Sequence, residues 1–498
     1  MLNELRLTHI EESLLALIYH DESQKNITTA ILAISLSLCQ YTILHTSIES
    51  MLKKQDIIQC RVVDLADNGQ GVVKHNDLVG FVSGALAEEL VSIRVEKIKK
   101  NFFLASLIDI LEPSPDRQKP FCEHFGNCGG CQLQHLAYDA HAKTKTQQWL
   151  QLYKKICGHP CTLVPNTVFS TPKGYRRKAR FSCRYVPKKD KVCVGYRESN
   201  PRYVLDGREC PLLMSCTTLF QDLSDMLSTL SVKASIPQVE YIVDSEHTHL
   251  IFRMLSTPTA LDIAAIQKFC QQESCLGYLQ TTSKQHLIAL GDKQSHDVHD
   301  QIMSQTFDDV TLLFHAQGLA YSACPHDFVQ VNEKVNESML SLVCSWVNTL
   351  PSGRVLDLFC GIGNFTLPIA VHHKEVIGME ISESMVQRAH INASMNQLKA
   401  SFIVTDLSQL EPGQWHHGEF DTLIIDPPRS GAKEVVAIMP EINPSHIVYI
   451  ACDPSTALRD VKELLQQGYE LEQVALMDMF AQTCHIETAM LLKKKRSQ

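Results

Sequence analysis

Cys452 is the residue in this chain best placed to do chemistry. It ends an apolar run, Ile447 to Cys452, in the segment IVYIACDP, and a turn follows at once. One segment upstream, DTLIIDPPRSG carries a second apolar run into Asp426-Pro427-Pro428-Arg429. Further upstream, RVLDLFCGIGNF breaks from a strand into a glycine-rich loop. If these are neighbouring strands of one parallel sheet, a cofactor loop, an acidic Pro-Pro turn and a thiol meet on one rim, beyond the strands' carboxyl ends where such sheets bind ligands. The prolines fix a turn with few amide donors, which leaves Asp426 and carbonyl groups free to face a ring. A thiol in that company suits methyl transfer to a pyrimidine. C5 of uracil is a poor nucleophile, but a thiolate added at C6 makes an enolate whose C5 can attack a methyl sulfonium. A base must then take the C5 proton before sulfur can leave. Glu487, opening the last strand in CHIETAMLL, is the expected base.

The loop Asp357-Leu358-Phe359-Cys360-Gly361-Ile362-Gly363-Asn364-Phe365 lacks the third glycine of a dinucleotide fingerprint, so a pyrophosphate is not its obvious guest. Glu380 closes the next strand about 20 residues on, where an acid can take ribose hydroxyls. The two together look like an S-adenosylmethionine site. Cys122, Cys128 and Cys131 form C-x5-C-x2-C with Gly129 and Gly130 inside the wrap, and Cys210 in GRECPLL is the expected fourth thiolate. Four thiolates fit structural zinc or an iron–sulfur cluster equally well on spacing alone. The spacing is not the C-x3-C-x2-C of radical enzymes. Lys173 to Arg180, KGYRRKAR, is a basic run with Tyr175, Phe181 and Tyr185 interleaved; alternation is expected to turn several cations to one face suited to phosphates and stacked bases.

The elements that must position these groups follow from length and pattern. The chain has 498 residues, 44% of them apolar and 20% charged, which suggests about three domains with sizeable cores. A net charge of −9 argues weakly against nucleic acid, but a local basic patch is enough to bind RNA. Eighteen cysteines without a secretory signal point to metal or catalytic thiols rather than disulfides. Residues 27–48 are apolar but carry Ser, Thr, Gln and His, and read as an amphipathic helix or an extension ahead of Met51 rather than a membrane span. Residues 56–111 read as five short strands around Asp67-Asn68-Gly69 and His75-Asn76-Asp77 turns, an OB-like barrel. Pro113-Ser114-Pro115 marks a linker, and mixed α/β sequence follows to about 325. From 353 strands alternate with helices, as in a doubly wound, mostly parallel sheet.

The motifs CEHFGNCGGCQLQH, GYRRKAR, DFVQVN, DLFCGIGNFTLP, IDPPRSG, YIACDP and DMFAQTCHIET, with the N-terminal β-module, resemble the RNA uracil-5-methyltransferase family, closest to its iron–sulfur 23S ribosomal RNA branch, over about residues 55–495. That resemblance implies an α/β fold: a Rossmann-like S-adenosylmethionine-dependent methyltransferase domain, an OB-like TRAM barrel and a central α+β iron–sulfur domain. The expected division is 1–54 extension, 55–112 barrel, 113–325 central domain and 326–498 methyltransferase. It implies one [4Fe-4S] cluster on Cys122, Cys128, Cys131 and Cys210. S-adenosylmethionine contacts are implied for Gln330, Phe359, Asn364 and Glu380, with Asp406 and Asp426 in the site. Cys452 matches the nucleophile and Glu487 the proton acceptor. The helix after the cysteine trio is implied to pack on the methyltransferase domain. The expected partner is 23S ribosomal RNA, in the cytoplasm, with no membrane and no obligate protein partner. A tRNA uracil-5-methyltransferase is the rival within the class. A catalytically silent RNA-binding or folding factor is the rival outside it. Three positions depart from the family pattern: Asp453 stands where Asn is common, Asp406 where Asn is frequent, and Cys484 where Gly is usual. The charge of Asp453 is expected to raise the pKa of the neighbouring thiol.

Overall fold

The computed structural model describes residues 52–215, 218–281, 286–290, 302–306, 310–373 and 375–495, so the expectations for residues 27–48 lie outside the described residues. Period-two alternation in residues 57–112 produces β1 (Ile57–Leu65), β2 (Gly71–His75), β3 (Leu78–Ser83), β4 (Leu90–Ile98) and β5 (Phe102–Glu112). They close into a barrel in the order β1-β2-β3-β5-β4, with β3 and β5 parallel. Val62, Val73, Val82, Val91, Ile93, Val95 and Phe103 fill its interior. The turn from β1 to β2 brings Gly69 to φ +80°, and a side chain there would meet the sulfur of Cys484 at 2.7 Å. The barrel is thereby seated on the loop that precedes Glu487.

β6 (Asn166–Val168) is followed by β7 (Lys178–Val186), β8 (Lys191–Gly195), β9 (Gln238–Val243), β10 (Thr248–Arg253), β11 (Cys275–Gln280), β12 (His286–Leu290) and β13 (Ile302–Thr306). The last seven form one sheet in the order β13-β12-β11-β10-β9-β7-β8, covered by the helices Leu219–Thr229 and Ala260–Gln272. A separate hairpin follows, β14 (Leu312–Ala316) with β15 (Leu319–Ala323).

The basic run entering β7 alternates as expected, with Arg176, Lys178 and Arg180 on the less buried face and Tyr175, Arg177, Ala179 and Phe181 inward, but some of its cations are engaged within the protein. Arg177 is 5% exposed; it donates to the Gln330 carbonyl at 2.8 Å and lies over the Phe314 ring. Lys178 donates to the carbonyls of Pro325 and Asp327 at 2.8 and 2.6 Å. Tyr175 and Phe181 are buried. Backbone carbonyls about 150 residues downstream satisfy these cations, and no local alternation rule could foresee that. Arg180 is exposed, beside Glu240, and Arg176 and Lys178 are partly so.

The C-terminal sheet is built from β16 (Val355–Leu358), β17 (Val376–Glu380), β18 (Ser401–Val404), β19 (Thr422–Ile425), β20 (His446–Ala451), β21 (Tyr469–Met477) and β22 (Glu487–Lys494). Its order is β18-β17-β16-β19-β20-β22-β21-β6. β16, β19 and β20 are buried along their whole length, as strands covered on both faces must be. They are parallel neighbours in register, Leu358 beside Ile425 and Ile425 beside Tyr449. β22 runs antiparallel to β20 and sets Thr488 opposite Ala451. The expected rim is therefore real: the tips of β16, β19 and β20 and the head of β22 stand side by side. β6, from the middle of the chain, extends the far edge of this sheet.

The helix Tyr138–Cys157 packs on the helix Pro454–Gln466, with Trp149 and Tyr153 buried among Leu458, Leu476 and Ile486. On the same helix Lys145 is 1% exposed. Its ammonium donates to Asp478 Oδ1 and to the His485 carbonyl, each at 2.7 Å. Removing one member of a buried ion pair leaves an uncompensated charge, at a cost of about 3–5 kcal/mol. Lys145→Met should therefore lower thermal stability by that order, and Lys145→Met with Asp478→Leu should regain most of it. Calorimetric unfolding of the two variants checks this.

Candidate active site

The cofactor loop leaves β16 through backbone that few residues adopt. Phe359 lies at φ +63°, Gly361 at +57° and Gly363 at +96°. At Gly363 a Cβ would approach Leu367 to 3.0 Å, so glycine fits both the turn and the packing. Glu380 at the tip of β17 accepts from the Gly361 amide at 3.2 Å and from the Ile381 and Ser382 amides at 2.9 and 3.1 Å. Asn364 exchanges amide hydrogen bonds with Asn336 at 3.2 and 3.1 Å. Asn392, fully buried, donates to the Ile362 carbonyl at 3.1 Å. These contacts hold the loop open over a cavity lined by Gln330, Phe359, Asn364 and Asp426, four of the expected cofactor residues. Glu380 reaches it through the loop. Asp406 does not line it; this exposed carboxylate caps a short turn, accepting from the Ser408 amide and hydroxyl at 3.0 and 2.6 Å. Asn336 and Asn392 carry no motif and escaped the sequence reading.

Asp426 leaves the tip of β19 into the Pro-Pro turn, and Cys452 follows β20. Cys452 is half-buried and lines a cleft with Lys145, Trp149, Asp453, Cys484 and His485. The thiol is therefore reachable and not entombed. Burial raises its pKa, as do the charges of Glu487 and Asp426, while Arg429 lowers it by charge and by a side-chain hydrogen bond. Asp453 is not among these causes. Its carboxylate caps the helix Pro454–Gln466, accepting from the Ser455 and Thr456 amides at 3.0 and 3.1 Å. The expected push on the thiol thus comes from burial, Glu487 and Asp426, because the Asp453 charge is committed to a helix end. Glu487 is 4% exposed. Burial and the Asp426 charge push its carboxyl up to about 8, against the pull of Arg429. Asp426 still shows some surface to solvent but is densely enclosed by protein, and that desolvation raises it to about 7. Two interacting carboxyls of this kind titrate as a pair, so the rim holds protons near neutrality. A thiol, a guanidinium and two acids in mutual electrostatic contact can add sulfur to an electrophilic ring carbon and later accept a proton. Arg429, Lys145 and His485 were missed as site residues. Arg429 had a signal, its place in the Pro-Pro turn; Lys145 had none, lying 340 residues from the carbonyl it holds.

Cys122, Cys128, Cys131 and Cys210 line one cavity, with Arg429 and His485 on its wall. Burial raises each thiol, Cys131 to about 12 and Cys210 to about 11; neighbouring sulfurs add to the effect at Cys128, Cys131 and Cys210, and Glu123 and Glu209 do so at Cys122. Such a set calls for cationic charge. Four thiolates lining one cavity suit either tetrahedral zinc or an iron–sulfur cluster. The Gly130 amide donates to the Cys128 sulfur at 3.4 Å, a contact that stabilises thiolate.

Residues 279–495 match the family model described as tRNA (uracil-5-)-methyltransferase. Over 444 residues the chain is 36% identical to the 23S rRNA (uracil(1939)-C(5))-methyltransferase RlmD of Legionella pneumophila, covering 87% of this chain and 96% of that one. The protein of the same name from Stenotrophomonas maltophilia is 37% identical over 448 residues, covering 88% and 97%. Among solved structures, the Pyrococcus abyssi tRNA (uracil-54, C5)-methyltransferase in complex with S-adenosyl-L-homocysteine superposes with a TM-score of 0.65 at 21% identity, over 87% of this chain and all of that one. That likeness establishes the fold.

The charge balance at Cys452 is open to a direct check. Arg429→Met removes the one group that favours the thiolate, so alkylation of Cys452 by iodoacetamide, followed by mass spectrometry across pH, should have its midpoint move upward. Glu487→Gln removes a negative neighbour and should move it downward.

Proposed function

The chain belongs to the RlmD-type family of 23S rRNA (uracil-5-)-methyltransferases, and from that premise we propose that it methylates C5 of one uridine in 23S ribosomal RNA. The relatives are named for uracil 1939, and the equivalent nucleotide is the expected target. The observation that carries the reading is the meeting of Cys452, Arg429, Asp426 and Glu487 on one rim beside the cofactor loop.

In the proposed reaction a uridine leaves its stack and enters the cleft beside Cys452. Arg429 favours the thiolate, which bonds to C6; the C5–C6 π pair moves to make C5 nucleophilic. S-adenosylmethionine, which Gln330, Phe359, Asn364 and Glu380 would hold beside Asp426, would give its methyl group to C5 as the S–CH3 bond breaks and leave as S-adenosylhomocysteine; Asp406, outside that cavity, takes no part in holding it. Glu487 takes the C5 proton, the C5–C6 double bond re-forms, and the C6–S pair returns to Cys452. Asp426 faces the ring edge. Cys122, Cys128, Cys131 and Cys210 would hold the [4Fe-4S] cluster, which would tie the loop of residues 122–131 to the segment at Cys210, with Arg429 and His485 on the cavity wall. The division 55–112, 113–325 and 326–498 assigns RNA capture to the TRAM-like barrel, the cluster to the middle and methyl transfer to the end. Cytoplasmic action without membrane or obligate protein partner completes the proposal. Among the described residues no helix is long and apolar enough to cross a membrane.

Labelled S-adenosylmethionine offered with unmodified 23S and tRNA transcripts should label only the 23S RNA. Label in tRNA alone would reverse the substrate, and label in neither would favour a silent binding factor. Cys452→Ala should cut turnover by roughly 10⁴-fold or more, as loss of a covalent nucleophile does, while cofactor binding persists. Glu487→Gln should trap a protein–RNA adduct on denaturing gels; its absence would remove Glu487 from the role. Anaerobically purified protein should be brown and contain about four irons per chain if the cluster is cubane. Colourless protein carrying only zinc would overturn that assignment.

A further inference from the structure

The turn between β9 and β10 carries Asp244-Ser245-Glu246-His247-Thr248-His249, far along the chain from the cysteine set and outside the reaction proposed above. The hairpin sets Asp244 against His247, joined by the Asp244 amide donating to the His247 carbonyl at 3.0 Å. His249, two residues further on, falls on the same face as His247. One ligand atom from each of Asp244, His247 and His249 lies within 4.8 Å of the others.

Asp244 and His249 side chains are 4% and 2% exposed, and His247 is half open to water. His249 Nε2 lies 3.1 Å from Asp244 Oδ2, a contact that helps hold the Asp244 carboxyl low although it is off the line of a well-formed hydrogen bond. In one tautomer that nitrogen donates to the carboxylate. In the other, its lone pair and the carboxylate can converge on a shared third point. The separation agrees: donors on a tetrahedral ion with bonds of about 2.0 Å stand about 3.3 Å apart. The other ring nitrogen, Nδ1, faces the Tyr278 hydroxyl at 3.4 Å, and Tyr278 stacks against the ring. That is the outer support by which a ligating histidine is held. The carboxylate is fixed too, by the Glu246, His247 and Leu313 amides at 2.9, 2.7 and 3.0 Å.

We propose that Asp244, His247 and His249 form a binding site for one divalent transition-metal ion of the zinc or cobalt kind, open to water at a fourth position. Two imidazoles and a carboxylate select a d-block ion over magnesium or calcium. The site braces more than its own turn. Ser245 donates its amide to the Leu313 carbonyl at 2.8 Å, and its hydroxyl meets His315 Nδ1 at 2.9 Å. β14 thus hangs from this hairpin, and Phe314, His315 and Ala316 line the cofactor cavity.

Untagged, cluster-loaded protein dialysed against Co²⁺ tests the site. One cobalt should bind beyond the cluster iron, giving weak visible bands without the near-ultraviolet charge transfer of cobalt thiolate. It should also raise the unfolding temperature. His247→Ala, at a half-exposed position that does not threaten folding, should weaken binding at least about tenfold and abolish the thermal shift. His249→Gln should do the same, with circular dichroism verifying the fold. Absence of bound cobalt, unchanged binding in His247→Ala, or a thiolate charge-transfer band would each overturn the proposal.

Discussion

A buried ammonium organises this molecule. Lys145 is almost wholly buried, and its ammonium donates to the Asp478 carboxylate and the His485 carbonyl. Desolvating an ammonium costs several kcal/mol, so the pair is tolerable only when both partners are held in place. That requirement fixes the helix Tyr138–Cys157 against the end of β21 and the loop before Glu487. The helix in turn holds the barrel, through the Gln148 side chain donating to the Leu65 carbonyl at 2.9 Å. Three regions remote in sequence are thereby referenced to one charge beside the Cys452 cleft.

The rim itself stores protons. Asp357, wholly buried under the cofactor loop, is raised to about 7 by burial and by the nearby Asp426 and Glu380 charges, although it accepts the Thr366 hydroxyl at 2.5 Å. With Asp426 and Glu487 raised as well, the strand tips hold three acids that desolvation discourages from ionising together. Arg429 is the counterweight, and it stands at the solvent edge rather than in the core. A substrate that displaces water there strengthens every one of these interactions at once.

Much of the fold was legible because buried parallel strands read as plain apolar runs. Thr422–Ile425 and His446–Ala451 carry Thr422 and His446 at their starts, and in Val355–Leu358 Asp357 alone breaks the apolar run; their adjacency followed from the usual winding of such sheets. The barrel was legible from its turns. What could not be read is where charges go when they are buried. KGYRRKAR looks like a phosphate stripe, yet Arg177 and Lys178 spend their donors on carbonyls supplied by the approach to the third sheet. Asp453 looks like a perturbing charge and is a helix cap. Lys145 looks like one more exposed lysine on an amphipathic helix. In each case the partner is either a backbone group or a residue hundreds of positions away, and neither leaves a periodic trace.

The seat of the barrel has an evolutionary corollary. Gly69 offers a bare α-carbon to the sulfur of Cys484, and a side chain at 69 would compete with that sulfur for the same space. A module of this kind is often treated as interchangeable baggage, to be gained or lost by recombination. Here a barrel bearing even alanine at that turn would force the Cys484 side chain to shift, so the barrel and the loop before Glu487 fit as a matched pair.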